Sequence, residues 1–268
     1  MEMIFKAVIL GIVEGITEFL PVSSTGHLII FGHFLGFTGD FAVMFEIVIQ
    51  LGAVLAVVFY YRRKIVGSLA NLRPGKWGFK LWLWIALAFI PSGLLAFFFH
   101  DFIALYLFSP LVVSVALIVG AVMMLIVENL YRKNNRIEDI IETGHRKALL
   151  IGCAQCMSLI PGMSRSASTI MGGMIAGLTV KAAAEFSFFL AIPTMIAATG
   201  YTLVKGISSI TQAEIFSLVT GFAVSFAVAF LVVGSFLRFL ASHRLRGFAY
   251  YRLGAGAVML ALVILRII

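Results

Sequence analysis

Two glutamates lie one helical turn apart near the start of the chain. On a helix, the side chains of Glu14 and Glu18 project from the same face. The residues around them are mostly apolar, and two carboxylates in such surroundings are costly unless they are paired, protonated or bound to a cation. This spacing favours an acid–base site or a divalent-cation site, with Mg²⁺ or Ca²⁺ preferred because the ligands are oxygens. The alternative is a structural pair, with one glutamate hydrogen-bonded and the other at an interface.

A cluster of hydroxyl groups and an imidazole follows these glutamates. It consists of Ser23, Ser24, Thr25, Gly26 and His27. A hydroxyl becomes a nucleophile only next to a base or a metal, and Glu18 and His27 are the candidates for that base. The alternative is that a serine here only caps the helix that follows. The neighbouring glutamates favour the reactive interpretation.

A second hydroxyl-rich stretch surrounds an arginine in another apolar region. Arg165 is flanked by Ser164, Ser166, Ser168 and Thr169. A guanidinium in apolar surroundings needs an anionic partner, and its fork geometry suits phosphate oxygens. A helix that begins here would direct its backbone N–H groups and its positive dipole end at the same anion. A structural ion pair of Arg165 with Glu46 or Glu185 is the alternative.

The composition identifies the environment in which these residues lie. Of 268 residues, 62% are hydrophobic and only 12% are charged, which excludes the soluble classes. The net charge of +8 could indicate nucleic-acid binding in a soluble protein. Here we attribute the charge to the loops of a membrane protein and expect no nucleic-acid partner. We therefore predict an all-α polytopic membrane protein in which residues 1–268 form one integral membrane domain.

Six uninterrupted apolar runs are long enough to cross a bilayer. They are 41–61, 82–99, 111–129, 183–205, 214–237 and 250–267. Two further apolar regions, 3–37 and 148–178, are each interrupted by a polar stretch that contains a proline. We predict that each interrupted region is a re-entrant helix–turn–helix, which enters and leaves the membrane on one side.

The basic residues predict the orientation of these segments. The connections after the first, third and fifth apolar runs, together with Lys181, contain 16 of the 20 Lys and Arg residues, and Arg252 is counted among them. We assign these connections to the cytoplasmic side. The connections 100–110 and 206–213 contain neither Lys nor Arg and are assigned to the outside. In this topology the two re-entrant regions enter from opposite faces. Their tips, which are the polar stretches 21–27 (first tip) and 161–169 (second tip), could therefore meet near the midplane.

A weak internal repeat accompanies this arrangement. Residues 21–24 can be aligned with residues 161–164, and Glu14 and Gln155 then occupy similar positions. In this alignment Glu46 falls one residue out of register with Glu185. Together with the opposite orientations, the alignment predicts inverted repeats over roughly 1–130 and 131–268, with a site where the repeats meet. The G-x-x-x-G spacings Gly11/Gly15 and Gly173/Gly177 predict close helix packing.

These residues resemble the signatures of a known family, the bacterial undecaprenyl-diphosphate phosphatases of the bacitracin-resistance type. The first signature, E/Q-x-x-x-E, matches Glu14-x-x-x-Glu18. The second, PGxSRSxxT, matches Pro161-Gly162-x-Ser164-Arg165-Ser166-x-x-Thr169. The resemblance extends through residues 20–27, 45–50 and 185–188, and both signatures are complete.

The resemblance implies an activity and a set of site residues. The reaction would be hydrolysis of undecaprenyl diphosphate, a lipid substrate, to undecaprenyl phosphate and inorganic phosphate in the bacterial cell membrane, which recycles the carrier for peptidoglycan synthesis and confers bacitracin resistance. Ser24 is the first candidate for the nucleophile and Glu18 for the base or metal ligand, with Glu14 as its partner. Arg165 would bind the diphosphate, together with the hydroxyls of Ser23, Thr25, Ser164, Ser166 and Thr169. His27 could shuttle protons, and a metal-activated water remains an alternative to Ser24.

Transport is the competing function. Inverted re-entrant repeats with charges at the membrane midplane are typical of transporters, so a lipid transporter or flippase is the alternative to an enzyme. The bilayer is a partner in either case, and a homodimer is compatible with both. The distinguishing observation is phosphate release from a prenyl diphosphate by the purified protein.

Overall fold

The computed structural model describes residues 1–206 and 211–268, and of residues 100, 101, 104, 134 and 201–206 it describes the backbone alone. Within these ranges the chain forms eleven α-helices: α1 (Glu2–Thr17), α2 (Ser24–Phe34), α3 (Asp40–Tyr60), α4 (Arg62–Leu69), α5 (Trp77–Tyr106), α6 (Pro110–Tyr131), α7 (Gly144–Gln155), α8 (Arg165–Ile175), α9 (Val180–Gly206), α10 (Gln212–Ser242) and α11 (Arg246–Ile264). Three short 3₁₀ helices accompany them: Arg132–Asn134, Ile140–Thr143 and Cys156–Leu159. The described residues contain no β-strand, so the predicted all-α class is confirmed.

Six of these helices are long and apolar enough to cross a membrane. They are α3, α5, α6, α9, α10 and α11. Each coincides with one of the six apolar runs, so the chain is a multi-pass membrane protein as predicted. Of the predicted connection 206–213, residues 207–210 lie outside the described residues.

The two interrupted regions form helix–turn–helix units. Region 3–37 contains α1 and α2, joined by a turn at residues 18–23. Region 148–178 contains most of α7, a 3₁₀ turn and α8. Helices α2 and α8 have eleven residues each, about half of what a bilayer crossing requires. Each interrupted region is therefore broken where its proline-containing polar stretch lies.

Helices α2 and α8 begin with the same unusual backbone geometry. Their N-caps, Ser23 and Ser164, have φ angles of 72° and 69°, a region that residues other than glycine rarely adopt. Each serine side chain accepts a hydrogen bond from the third backbone N–H that follows, at 3.4 Å from Gly26 and 3.2 Å from Ala167. Ser23 therefore caps α2, as the capping alternative expects. The expected alignment of Ser24 with Ser164 is off by one residue, because the equivalent caps are Ser23 and Ser164.

The corrected register changes which other residues correspond. Glu14 and Gln155 each lie nine residues before their N-cap, so these two positions match without a gap. Glu46 now corresponds to Ser187 and not to Glu185. At both positions an acidic residue in the first unit corresponds to an uncharged polar residue in the second, an amide at Gln155 and a hydroxyl at Ser187.

The long helices pack across the two halves of the chain. Helix α10 lies against α1 and α3, whereas α5 lies against α7 and α9. Helix α6 pairs with α11 and also contacts both α2 and α8. Each interrupted unit is therefore held by a long helix from the other half of the sequence, and α6 lies beside both tips.

Glycines allow the closest of these approaches. A Cβ at Gly11 or Gly15 of α1 would lie 2.8 Å from the carbonyl oxygen of Gly221 or Ser225 in α10. This confirms the packing predicted from the first G-x-x-x-G spacing. In the second, Gly173 does pack tightly, because its Cβ would lie 2.6 Å from that of Ala183. Gly177 does not, because its φ of 93° places it in the turn after α8.

The contact between α3 and α10 yields a test of this packing. A Cβ at Gly52 would lie 2.6 Å from the carbonyl oxygen of Phe222, and a backbone atom cannot move aside as a side chain can. We expect Gly52→Ala to lower the free energy of unfolding by about 1–3 kcal/mol. Thermal unfolding in detergent measures this effect.

Gly254→Ala is the matched control, because a Cβ at Gly254 in α11 meets open space. This variant should be as stable as the wild type or more stable by up to about 1 kcal/mol, since alanine favours helix. Equal unfolding temperatures for Gly52→Ala and the wild type would contradict the close approach of α3 and α10.

Candidate active site

The carboxylate of Glu18 connects the two interrupted units. Ser24 donates its hydroxyl proton to Oε2 of Glu18 at 2.7 Å, and Nη2 of Arg165 donates to Oε1 at 2.7 Å. All three side chains are less than one-tenth exposed. A buried hydroxyl, carboxylate and guanidinium therefore form one continuous row across the contact between the tips.

Both short helices begin at this row. Ser24 is the first residue of α2, and Arg165 is the first residue of α8. A helix N-terminus carries a partial positive charge and unpaired backbone N–H groups, which stabilise an anion nearby. The carboxylate of Glu18 contacts the side chain of the first residue of each helix. The same surroundings would favour the oxygens of a phosphate group.

Arg165 is also held from its other side. Its Nη1 donates to the carbonyl oxygen of Ser187 at 3.0 Å and contacts the Ser187 hydroxyl at 3.2 Å. Thr169 donates to the same Ser187 hydroxyl at 2.7 Å. The guanidinium lies over the ring of Phe19, 5.6 Å from its centroid. These contacts fix the plane of the guanidinium, which is what bidentate binding of an anion requires.

The ion pair of Arg165 differs from the one expected as a structural alternative. Its partner is Glu18, and neither Glu46 nor Glu185 takes that place. Glu185 pairs with Lys64 at 2.7 Å. Glu18 is separated from Arg165 by 147 residues in the sequence, so no spacing rule could identify this pair.

The second tip contacts the first through its other hydroxyls as well. Ser166 donates to the carbonyl oxygen of Leu20 at 2.8 Å, and its own oxygen lies 3.0 Å from that of Ser164. The predicted meeting of the two tips is therefore confirmed. Thr25 lies half-buried in the first turn of α2, next to Ser24.

Both ring nitrogens of His27 contact groups other than the Ser24 hydroxyl. Its Nδ1 lies 2.7 Å from the carbonyl oxygen of Ser23, and its Nε2 lies 2.6 Å from the hydroxyl of Tyr251 in α11. Because a carbonyl can only accept, Nδ1 carries the proton, and in the neutral ring Nε2 accepts from Tyr251. The group in contact with the Ser24 hydroxyl is Glu18. Of the two candidate bases, the structure therefore brings Glu18 to the hydroxyl.

Glu14 has different surroundings from Glu18. It is fully buried, and neither of its carboxylate oxygens has a hydrogen-bond partner. A buried carboxylate without donors fits a cation, and a hard divalent ion such as Mg²⁺ or Ca²⁺ suits its oxygens. The described part of the chain contains no group of three or more His, Cys, Asp or Glu placed to hold a metal. A cation beside Glu14 and Glu18 would thus need further oxygen ligands from water or a substrate.

Sequence reasoning missed three residues at the tips, namely Ser187, Tyr251 and Arg252. Arg252 was assigned to a cytoplasmic loop, but it is fully buried in α11, so a second arginine besides Arg165 lies deep in an apolar region. The missed signal was its position two residues inside the apolar run 250–267. For Tyr251 no such signal exists, because its partner His27 is 224 residues away.

The buried pair of Glu18 and Arg165 predicts strong coupling in stability. Glu18→Ala or Arg165→Ala leaves the other charge buried without its partner, which typically costs about 3–5 kcal/mol. The double variant removes both charges, so we expect it to lose clearly less stability than the sum of the single variants. Denaturant titration in detergent of the four proteins measures the coupling. Additive losses would show that the two charges do not depend on one another.

Comparisons with known proteins identify the family of this chain. The family model described as "Bacitracin resistance protein BacA" matches residues 7–258. A protein of Thermoanaerobacter sp. (strain X514), named "Undecaprenyl-diphosphatase", is 59% identical over 268 residues, which are 100% of both chains. Proteins with the same name are 57% identical in Caldanaerobacter subterraneus subsp. tengcongensis (100% of this chain, 99% of the relative) and 45% identical in Acinetobacter baumannii (96% and 94%). The chain therefore belongs to the bacitracin resistance protein BacA family.

Proposed function

We propose that this chain hydrolyses undecaprenyl diphosphate to undecaprenyl phosphate and inorganic phosphate. The relatives supply the substrate through their name, undecaprenyl-diphosphatase. The observation that carries the chemistry is the row of Ser24, Glu18 and Arg165 at the start of two helices. This row contains a nucleophile, a base that touches it and a cation suited to phosphate oxygens.

The contact between Ser24 and Glu18 provides the first step. As the Ser24 oxygen attacks the terminal phosphorus, Glu18 takes the hydroxyl proton through the existing 2.7 Å hydrogen bond. The bond between that phosphorus and the bridging oxygen breaks, and undecaprenyl phosphate leaves. Water then hydrolyses the phosphoserine, which releases inorganic phosphate and restores Ser24. In the alternative, a water in the place of Ser24 attacks the phosphorus directly, again with Glu18 as the base.

Arg165 and the two helix N-termini stabilise the charge that this step creates. Phosphoryl transfer depends mainly on positioning and on neutralising the equatorial phosphate oxygens. The guanidinium is held by Ser187 and Glu18, so a phosphate group that binds it shares Arg165 with Glu18. Binding of substrate would thereby weaken the hold of Arg165 on Glu18 and leave the carboxylate a better base.

Glu14 is the group that we propose to hold a divalent cation, with Glu18 beside it. Its buried oxygens without hydrogen-bond donors support this role. Such an ion, when bound, would neutralise phosphate oxygens or activate a water. Glu14 would hold that ion from the last turn of α1, one helical turn from Glu18.

The membrane setting follows from the same proposal. Six apolar helices place the protein in a bilayer, where the prenyl chain of the substrate can remain. We assign the protein to the bacterial inner membrane, with the Ser24 tip entering from outside, and the halves 1–130 and 131–268 as inverted repeats. A homodimer is compatible with this arrangement, and size measurement in detergent would test it.

The proposed activity is tested by phosphate release from undecaprenyl diphosphate by the purified protein with Mg²⁺ or Ca²⁺. We expect turnover by the wild type and a loss of about 10³-fold or more in Ser24→Ala. Ser235→Ala is the control, because Ser235 is exposed on α10 and should keep the wild-type rate. A wild type without phosphate release would overturn the function, and a near-normal rate in Ser24→Ala would assign the attack to water.

The proposed cation site has its own test. Removal of divalent ions with a chelator should abolish turnover, and Glu14→Gln should raise the Mg²⁺ concentration needed for half-maximal rate about ten-fold or more, because an amide oxygen binds the ion more weakly. Glu142→Gln, at an exposed position, is the matched control. Full turnover in the chelated wild type would exclude a required cation. An unchanged Mg²⁺ dependence in Glu14→Gln would remove Glu14 from the site.

A further inference from the structure

A second buried arginine lies beside the tips. Arg252 in α11 has no exposed surface, and its Nη2 donates to the carbonyl oxygens of Gly162 at 3.1 Å and Ala116 at 3.4 Å. Gly162 belongs to the second tip, three residues before Arg165. The guanidinium lies against Gly120 of α6, where a Cβ would collide with it. The chain thus provides space for a full guanidinium beside the residues that form the site.

The charge of Arg252 has no anionic partner in the described part of the chain. Its Nε and Nη1 lack hydrogen-bond partners, and none of the described carboxylates forms an ion pair with it. Two carbonyl oxygens satisfy part of the hydrogen-bonding capacity, but they do not neutralise the charge. A buried cation without an anion is strongly unfavourable, so an arginine here is costly unless an anion binds it at some stage.

The other arginine of the site is already paired. Arg165 is neutralised by Glu18, so the two tips together offer a diphosphate little unpaired positive charge from that side. A diphosphate carries more negative charge than one shared guanidinium can neutralise. Among the described residues beside the tips, Arg252 is a buried cation without an anionic partner, and the residue before it, Tyr251, contacts His27 of the first tip.

We propose that Arg252 is a second binding residue for the diphosphate headgroup, reached when the headgroup enters between the tips and α11. This proposal rests on the proposed function. Arg165 and Glu18 then act at the phosphorus that is attacked, while Nε and Nη1 of Arg252 bind oxygens of the diphosphate. Planar, two-pronged donation is the geometry in which a guanidinium binds phosphate best.

A purely structural role makes a different prediction. If Arg252 only holds the second tip through Gly162 and Ala116, a neutral side chain with an N–H donor should serve almost as well. Arg252→Gln keeps such a donor and removes the charge. The variant therefore separates support of the tip from binding of an anion.

The test compares the wild type, Arg252→Gln and Arg252→Lys in detergent. We expect Arg252→Gln to raise KM for undecaprenyl diphosphate about ten-fold or more, with a smaller change in kcat, and to weaken inhibition by inorganic pyrophosphate by a similar factor. Arg252→Lys keeps the charge but not the fork, so its values should lie between those of the wild type and Arg252→Gln. Arg238→Gln, at an exposed arginine on α10, is the control and should match the wild type.

A binding measurement makes the test independent of turnover. In the presence of a chelator, pyrophosphate should raise the unfolding temperature of the wild type but not that of Arg252→Gln. If the wild type releases no phosphate, the proposed function fails while this measurement still reports on Arg252.

Two outcomes overturn the role of Arg252. The first is wild-type KM and pyrophosphate inhibition in Arg252→Gln, whether or not that variant is less stable. The second outcome concerns Arg252→Lys and decides the question if Arg252→Gln does not fold. It is that pyrophosphate inhibits Arg252→Lys, and raises its unfolding temperature, as much as it does for the wild type.

Discussion

The buried carboxylate of Glu18 is the interaction on which the rest of the structure depends. It accepts from Ser24 at the start of α2 and from Arg165 at the start of α8, so one side chain joins two helix–turn–helix units that are far apart in the sequence. A carboxylate that is paired with an arginine and accepts a hydrogen bond from a serine is compensated even though it is buried. Without this charge, the guanidinium of Arg165 would be buried without its anionic partner.

The remaining helices hold this meeting point in place. Helix α10 lies against α1 at glycine positions, and α5 lies in the same way against α7, where Gly152 approaches the backbone of Ala88. Such contacts between backbones leave little freedom for sliding, because no flexible side chain lies between them. The positions of Glu18 and Arg165 are therefore set by the packing of α1 and α7 against helices from the opposite halves of the chain.

Much of this arrangement could be predicted from the sequence, because its cause is local. Runs of apolar residues determine the six long helices, and a polar stretch with a proline determines each break. The contacts between Glu18 and Arg165 and between His27 and Tyr251 could not be predicted, because they join distant residues. The repeat alignment was off by one residue, because the match of the prolines Pro21 and Pro161 conceals the equivalent caps.

The assignment of Arg252 to a loop shows how charge alone can mislead. Counting basic residues treats each one as exposed, and that assumption holds for arginines at the ends of helices but not for one inside α11. Once Arg252 is placed correctly, the buried ionisable groups near the tips divide into two kinds. Glu18 and Arg165 form a balanced pair, whereas Glu14 and Arg252 have no partner of opposite charge among the described residues.

Those two unbalanced groups carry opposite charges when they are ionised. Within the described residues, Glu14 is a buried carboxyl group without a hydrogen-bond donor, and Arg252 is a cation without an anionic partner. A divalent cation bound with a diphosphate would supply a positive charge to the first and negative oxygens to the second. The two proposals are therefore linked by charge, because a site that binds both ligands neutralises groups that the chain by itself leaves uncompensated. Folding alone gives no reason to bury Glu14 and Arg252, whereas binding of a divalent cation and a diphosphate does.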